Sequence, residues 1–469
     1  MPRRPNLIFI TTDHQRADSL FMVQAGREVT PNLNRLARAS CHFTHAYTTS
    51  PLCVPARTAL ATGLYPTRTG VLLNDWDGRT AGDFKPLHQT LAEAGYVLAH
   101  AGKNHIRVRP ALRERVSFFD WADESEHRTH LEKLGVVNNP AADGLGFRRE
   151  VVERRGDVAV PARFSSVRTA VWPHAEELFL DTWICGRAGA MLRRLMSGST
   201  PFALFVNIWA PHPPLRVPQR FLEMFPPREI ALPADVGLVP PGEPANRRRG
   251  IPAQLAAGVT LEQWREVWSA HLGLTTLADE LVGSLWDIVE RAGRAGETAL
   301  VFTTDHGDHL GQRVMYQKME LYEPALRVAL LLSIPGVSPQ RYETPVSHLD
   351  VLPTLLDACG LEVPGGLDGY SLLSALRAGA VPERLVFAQY SGSSEIGDIR
   401  RGIIRGRFKY VHDPDDIPEL YDLVADPLEQ VNRAADPALA DLRRDLHTDL
   451  AAWHTARGDR VDYTPRRPV

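Results

Sequence analysis

Five unbroken apolar runs constrain this chain more than any other feature. They are "NLIFITT" (6–12), "YVLAHAG" (96–102), "PFALFVNIWA" (201–210), "TALVFTT" (298–304) and "RVALLLSIPG" (327–336). A strand with one wet face alternates apolar and polar residues; an unbroken run suits a strand covered on both faces. Helical patterns separate the runs. "TPNLNRLARAS" begins at Thr30 with Pro31 at the first helical position, and 175–196 and 275–293 carry apolar residues at helical spacing. The alternation predicts an α/β fold with a large, mostly parallel sheet flanked by helices. A chain of 469 residues with 44% hydrophobic content can bury such a core. After "GLDGYSLLSALRAG" the pattern changes. "RGIIRGRFKYVHD" (401–413) reads as a hairpin and 437–458 as a terminal helix. We therefore expect a catalytic domain over 1–380 and a small C-terminal α+β domain over 381–469. Residues 107–174, charged and aperiodic, read as an insertion over one face. The proline-rich stretch 211–255, with its "NRRRG" run, reads as a solvated loop.

Composition excludes several classes. The formal charge of −3 gives no sign of a nucleic-acid or acidic-membrane partner. The four cysteines, Cys41, Cys53, Cys185 and Cys359, are too scattered for a disulfide framework or a zinc site. The apolar run in "MPRRPNLIFITTDH" is too short for a signal segment, and no stretch reaches the length of a membrane span. The expectation is a soluble, cytoplasmic protein.

Chemistry gathers at the strand ends. Asp13-His14 follow the first run, Lys103 and His105 the second, His212 the third, and Asp305-His306 the fourth. In an open parallel sheet ligands bind beyond the carboxyl ends of the strands, so these four clusters converge on one crevice. A lone Asp13 could be a helix cap, and a lone His212 or Lys103 a loop residue; four clusters at one sheet edge favour a site. Asp13, Asp305 and His306 offer oxygen and imidazole ligands that suit Ca²⁺, Mg²⁺ or Mn²⁺. His14 either joins them or lines the pocket. Arg57, Lys103, His105 and His212 supply positive or protonatable groups for an anionic substrate.

"TSPLCVPARTALATG" (49–63) holds the remaining question. Pro55 suits the first turn of a helix that Gly63 would stop, so Cys53 lies at a helix N-terminus, where anions are favoured, with Arg57 one turn on. Cys53 could be core filler, a nucleophile, or the precursor of something more reactive. Only three residues separate Cys53 from Arg57. Cysteine-dependent phosphatases wrap phosphate with a five-residue loop, and a thiolate suits a hard cation poorly.

"CVPAR" (53–57) resembles the C-x-P-x-R signature of type I sulfatases, members of the alkaline phosphatase superfamily. "PNLIFITTDHQRAD" (5–18), "AGKNH" (101–105), "APHPP" (210–214), "VFTTDHGDHLG" (301–311) and "YQKMELYEPALRVALLLSIPG" (316–336) are similar to further segments of that family. So are 346–361 and 419–432. The resemblance implies an alkaline-phosphatase-like fold and conversion of Cys53 to formylglycine by a formylglycine-generating enzyme. The hydrated aldehyde would attack sulfur beside one divalent cation, calcium first, with manganese or magnesium as alternatives. It implies catalytic roles for Cys53, Arg57, Lys103, His105, His212 and Lys318, and a metal set of Asp13, His14, residue 53, Asp305 and His306. The expected substrate is a small-molecule or saccharide sulfate ester. Two positions depart from the family: His14 stands where a second aspartate is frequent, and Ala56 where serine is frequent. Phosphonate monoester or phosphodiester hydrolysis at the same nucleophile is the nearest alternative reading. A non-catalytic anion-binding protein with an unmodified thiol, and a plain cysteine phosphatase, are more distant ones.

Overall fold

The computed structural model describes residues 4–74, 78–82, 84–138, 146–155, 158–391 and 398–464. Its centre is a nine-stranded sheet. The strands are β1 (Asn6–Asp13), β2 (Cys41–Tyr47), β3 (Val97–Gly102), β4 (Asp120–Ala122), β5 (Phe202–Pro211), β6 (Thr298–Thr304), β7 (Arg327–Ser333), β8 (Gln340–Tyr342) and β9 (Val346–Ser347). They lie in the order β8-β2-β7-β6-β1-β5-β3-β4, with β9 also beside β2. From β6 to β4 every pairing is parallel. β7 breaks the pattern by running antiparallel to both β6 and β2.

All five apolar runs are strands. β1 and β6 are buried at every residue, as two-sided coverage requires. One face packs against α3 (Leu180–Met196) and α4 (Leu261–Arg291), the other against a cluster that includes α5 (Val351–Ala358). α4 has 31 residues, so the helix read over 275–293 is only its second half. Its start at Thr260 carries a full capping box with Gln263. β2 escapes the sequence reading because "CHFTHAY" mixes histidine and threonine into an interior strand.

Two expectations need correction. Within 107–174, Asp120–Ala122 joins the main sheet as an edge strand, so the stretch is not wholly an insertion. A hairpin, Arg148–Arg155 with Val158–Ser165, does stand apart from that sheet; residues 139–145 and 156–157 lie outside the described residues. In 211–255, "NRRRG" is not a solvated loop. Arg247 is buried and pairs with Asp413 (2.9 Å), Glu419 (2.5 Å) and Glu320 (3.4 Å). A guanidinium can be buried only when such partners take its charge.

The C-terminal part is a four-stranded antiparallel sheet, β10 (Val386–Tyr390), β11 (Arg400–Arg405), β12 (Phe408–His412) and β13 (Glu419–Asp422). α6 (Ala440–Thr455) covers it, with Leu446 and Leu450 packed on Phe387, Ile403, Tyr410 and Leu420. Buried ion pairs tie this sheet to the segment after β6. Arg400 meets Glu320 at 2.9 Å, and Lys409 meets Glu323 at 2.9 Å and Glu429 at 2.7 Å. No described helix is long and apolar enough to cross a membrane.

Candidate active site

α2 runs from Cys53 to Thr62 and ends on Gly63, whose φ of +70° is the left-handed conformation expected after a helix. Cys53 is its first residue, and the whole helix is buried. The Cys53 sulfur lies 2.8 Å from Lys318 Nζ, 3.3 Å from His306 Nε2 and 3.5 Å from Asp13 Oδ1. Burial, followed by the negative charge of Asp13, pushes its thiol up to about 12, despite Lys318.

Asp13, His14, Cys53 and His306 each offer one donor atom, and these atoms lie within 4.8 Å of one another. Asp305 stands beside them, its Oδ1 3.6 Å from His306 Nε2. The two sides of the site arrive on adjacent parallel strands, since Thr12 of β1 pairs with Thr304 of β6. His306 Nδ1 donates to the Gly307 carbonyl at 2.9 Å, which leaves the Nε2 lone pair facing Asp13 and Cys53. Burial, then Lys318, keeps His306 well below the ordinary histidine range, hence neutral. Two carboxylates and a neutral imidazole with its lone pair inward fit a divalent cation. Gly307 has to be glycine: a Cβ there would stand 2.0 Å from the Pro324 carbonyl oxygen.

Arg57 lies against the carboxylates of the site. Nε reaches Asp305 Oδ2 at 2.8 Å and Nη2 reaches Asp13 Oδ2 at 3.3 Å. The other donations go to Thr11, Asn207 and the Thr12 carbonyl. The guanidinium thus pins the two carboxylates.

Lys103 follows β3 immediately. Gly102, at φ +101°, lets that strand end approach β5 so closely that a Cβ would stand 1.9 Å from the Asn207 carbonyl oxygen. Lys103 Nζ lies 3.1 Å from the Trp209 ring centre and 3.9 Å from Glu124. Burial shifts it downward. His105 is buried with its ring 6.4 Å from that of Trp209. His212 sits with its ring 4.0 Å from Trp209 and 4.4 Å from His14, and its Nδ1 bonds the Pro213 carbonyl. Burial, then neighbouring lysines, holds both histidines well below the ordinary range. Lys318 behaves oppositely. Burial opposes its charge, but Cys53, Asp13 and Asp305 outweigh burial and hold it above the usual lysine value.

A family model described as Sulfatase matches residues 5–361, and one described as N-sulphoglucosamine sulphohydrolase, C-terminal matches 311–456. The chain belongs to the sulfatase family. It is a sulfuric ester hydrolase. It is 30% identical to a choline-sulfatase of Rhizobium meliloti over 97% of this chain and 88% of the relative. It is 26% identical to an ulvan-active sulfatase of Formosa agariphila over 98% of this chain and 82% of the relative. Its fold matches a phosphonate monoester hydrolase of Agrobacterium radiobacter with a TM-score of 0.76 at 23% identity, covering 99% and 100% of the two chains.

The candidate site also includes residues that were not assigned a role from the sequence. Asn207 takes hydrogen bonds from Thr11 and Arg57; the signal was one polar residue inside an apolar strand. Asp181, on α3, accepts the backbone N–H groups of Trp209 and Ala210 at 2.6 and 3.0 Å and so fixes the approach to His212. Nothing in its helical sequence context marked it. Asp308 bonds His14 at 2.7 Å; burial pushes its carboxyl up to about 7 while donors from Leu310 and Gln317 pull it back.

Proposed function

We propose that this sulfatase hydrolyses sulfate esters through residue 53 in its formylglycine form, produced from Cys53 by a formylglycine-generating enzyme, with one divalent cation. The observation that carries the reading is the convergence of Lys318, His306 and Asp13 on Cys53 Sγ within 3.5 Å. A sulfur donor suits a hard cation poorly, whereas an oxygen nucleophile at the same place suits the carboxylate set around it. The cation, calcium in our reading, would polarise the sulfate oxygens and lower the pKa of an oxygen at residue 53.

The chain's own groups divide the remaining work. Asp13, Asp305 and His306 would hold the ion, and Arg57 keeps both carboxylates in place. Lys318 and Lys103 would bind the sulfate oxygens from two sides as fixed positive charges. His212 would give a proton to the departing alkoxide, and His105 would take part in releasing sulfate from residue 53. Asp181 and the Trp209 ring shape the wall that carries His212. We assign this chemistry to 1–380 and read 381–469 as a separate C-terminal domain. The substrate class we infer is a small-molecule or saccharide sulfate ester, in keeping with the named relatives.

His14 favours one second reading. A neutral imidazole replaces the second aspartate of the usual pattern, and a phosphonate monoester bears the same single negative charge as a sulfate ester. The same site could therefore act on phosphonate monoesters or phosphodiesters. The test is peptide mass spectrometry over residues 41–57, together with rates on aryl sulfate, phosphonate and phosphodiester substrates side by side. An unmodified thiol in protein made with its maturation enzyme refutes the nucleophile; a faster phosphonate rate selects the second reading.

A further inference from the structure

His14 is bonded on both ring nitrogens, and the identity of its partners fixes the direction of each bond. Lys318 Nζ lies 2.6 Å from His14 Nε2. An ammonium has donors only, so Nε2 accepts. A neutral imidazole with a bare Nε2 carries its proton on Nδ1, and Asp308 Oδ2 is 2.7 Å away to receive it. The other Asp308 oxygen accepts the backbone N–H groups of Leu310 at 3.0 Å and Gln317 at 2.9 Å. Asp308 is therefore an acceptor on both sides, and it grips the backbone just before Lys318.

That backbone needs a grip. Gln317 and Met319 flank Lys318 with φ of +68° and +81°, and His14 itself has φ +67°. Left-handed conformations in residues other than glycine are strained and persist only where surroundings enforce them. Beyond Asp308, the Gln317 side chain donates to the Ser165 carbonyl at 2.7 Å, and the Met319 N–H to the Pro51 carbonyl at 3.3 Å.

We propose that Asp308 and His14 are positioning residues that aim Lys318 at residue 53, and that the His14 lone pair serves Lys318 rather than the metal ion. The chain of bonds runs from Lys318 to His14 to Asp308, with the second reach of Lys318, 2.8 Å, ending on Cys53. The inference rests on the sulfatase reading of the site. It removes His14 from the metal set, leaving Asp13, Asp305, His306 and residue 53.

Two substitutions act differently under this assignment. Asp308→Asn keeps the shape, and its Oδ1 can still accept both backbone N–H groups. Its amide N–H₂ then faces His14 Nδ1. The imidazole must move its proton to Nε2, where it points at the Lys318 ammonium, donor against donor. His14→Gln instead offers Lys318 a carbonyl oxygen, which has no tautomer to fix.

The experiment compares wild type, Asp308→Asn, His14→Gln and the double variant, all matured and loaded with metal. It measures 4-nitrophenyl sulfate turnover, metal per chain by elemental analysis, and histidine ¹⁵N chemical shifts. Asp308→Asn should lose about 10- to 100-fold in kcat/KM, the range typical of residues that orient a ligating or catalytic group, with metal content unchanged. In the His14→Gln background the same substitution should cost much less. His14 should carry its proton on Nδ1 in wild type and on Nε2 in Asp308→Asn. Equal losses in both backgrounds, or loss of bound metal in His14→Gln, would overturn the proposal. If Asp308→Asn does not fold, metal content of His14→Gln and the wild-type tautomer still decide it. If the wild type cleaves no sulfate ester, the sulfatase reading fails, while the ¹⁵N tautomer still tests the bond chain by itself.

Discussion

Two clusters of buried charge lie close together in this molecule and behave in opposite ways. Around Arg247, every charge has a counter-charge: Asp413, Glu419 and Glu320 take the guanidinium, Arg400 shares Glu320, and Lys409 is held between Glu323 and Glu429. Around Cys53, Arg57 closes on Asp13 and Asp305, but the other charges are aimed. Lys318 and Lys103 face a thiol and an aromatic ring, and His105, His212 and His306 are kept neutral by burial. The two clusters are joined by a few residues, since Lys318 and Glu320 are two apart. A closed network fixes how two sheets sit together; an open one keeps electrostatic strength for a molecule that has yet to arrive.

Substitutions at the two clusters should separate cleanly. The largest effect is at residue 53. Cys53→Ala should abolish turnover while circular dichroism and melting temperature stay near wild type, and the wild-type peptide should be lighter than its cysteine form by about 18 Da. Full residual activity in Cys53→Ala would erase the distinction between the clusters. Next comes Asp305→Ala, which should lose metal and activity together, by about 1,000-fold or more, because a Lewis-acid ion contributes several kcal/mol at the transition state. Exhaustive chelation of the wild type should match it; a chelated protein at full speed would refute the metal assignment.

His212→Ala should be selective. An alkyl or sugar sulfate should slow by about 10²–10⁴-fold, whereas a nitrophenyl sulfate, whose leaving group departs unaided, should slow by roughly tenfold or less. Equal losses would make His212 a binding residue. In the closed cluster, Arg247→Met should cost about 3–5 kcal/mol of stability, since it strands the buried carboxylates of Asp413 and Glu419, yet leave kcat of the folded fraction near wild type. A large kcat loss at full stability would show that the two clusters work as one.

The smallest effect is in pH dependence. His212 is held well below the ordinary histidine range, by burial first and then by Lys318 and Lys103. An acid must be protonated to act, so kcat/KM for alkyl sulfates should fall as pH rises, with a midpoint on the acid side of 6.5. Nitrophenyl sulfate should lack that limb.

The parts legible in the sequence were those with a local signature. Strands covered on both faces announce themselves as apolar runs, and the polar residues that follow them mark the crevice. Cys53, Pro55 and Gly63 spelled out a helix start and stop. The unread parts depend on distant partners. Nothing within "NRRRG" reveals that Arg247 meets carboxylates more than 160 residues away. β2 resembles a surface strand until β7 and β8 cover its edges. The length of α4 exceeded the reading because its first half, residues 261–274, was given no assignment. Arg57 was correctly placed one turn from Cys53, but which atoms it meets follows from the pairing of β1 with β6.

If residue 53 carries formylglycine, as proposed, the burial of Cys53 sets a clock on biosynthesis. The residue is 1% exposed, capped by Lys318 and held in a helix with no exposed residue. No enzyme can draw it into a second active site without first pulling α2 out of the core. Whatever modifies it must therefore act on the nascent or unfolded chain, in competition with folding itself. Sluggish maturation would leave a mixture of competent and permanently silent molecules with the same fold, and adding the maturation enzyme to finished protein would not convert one into the other.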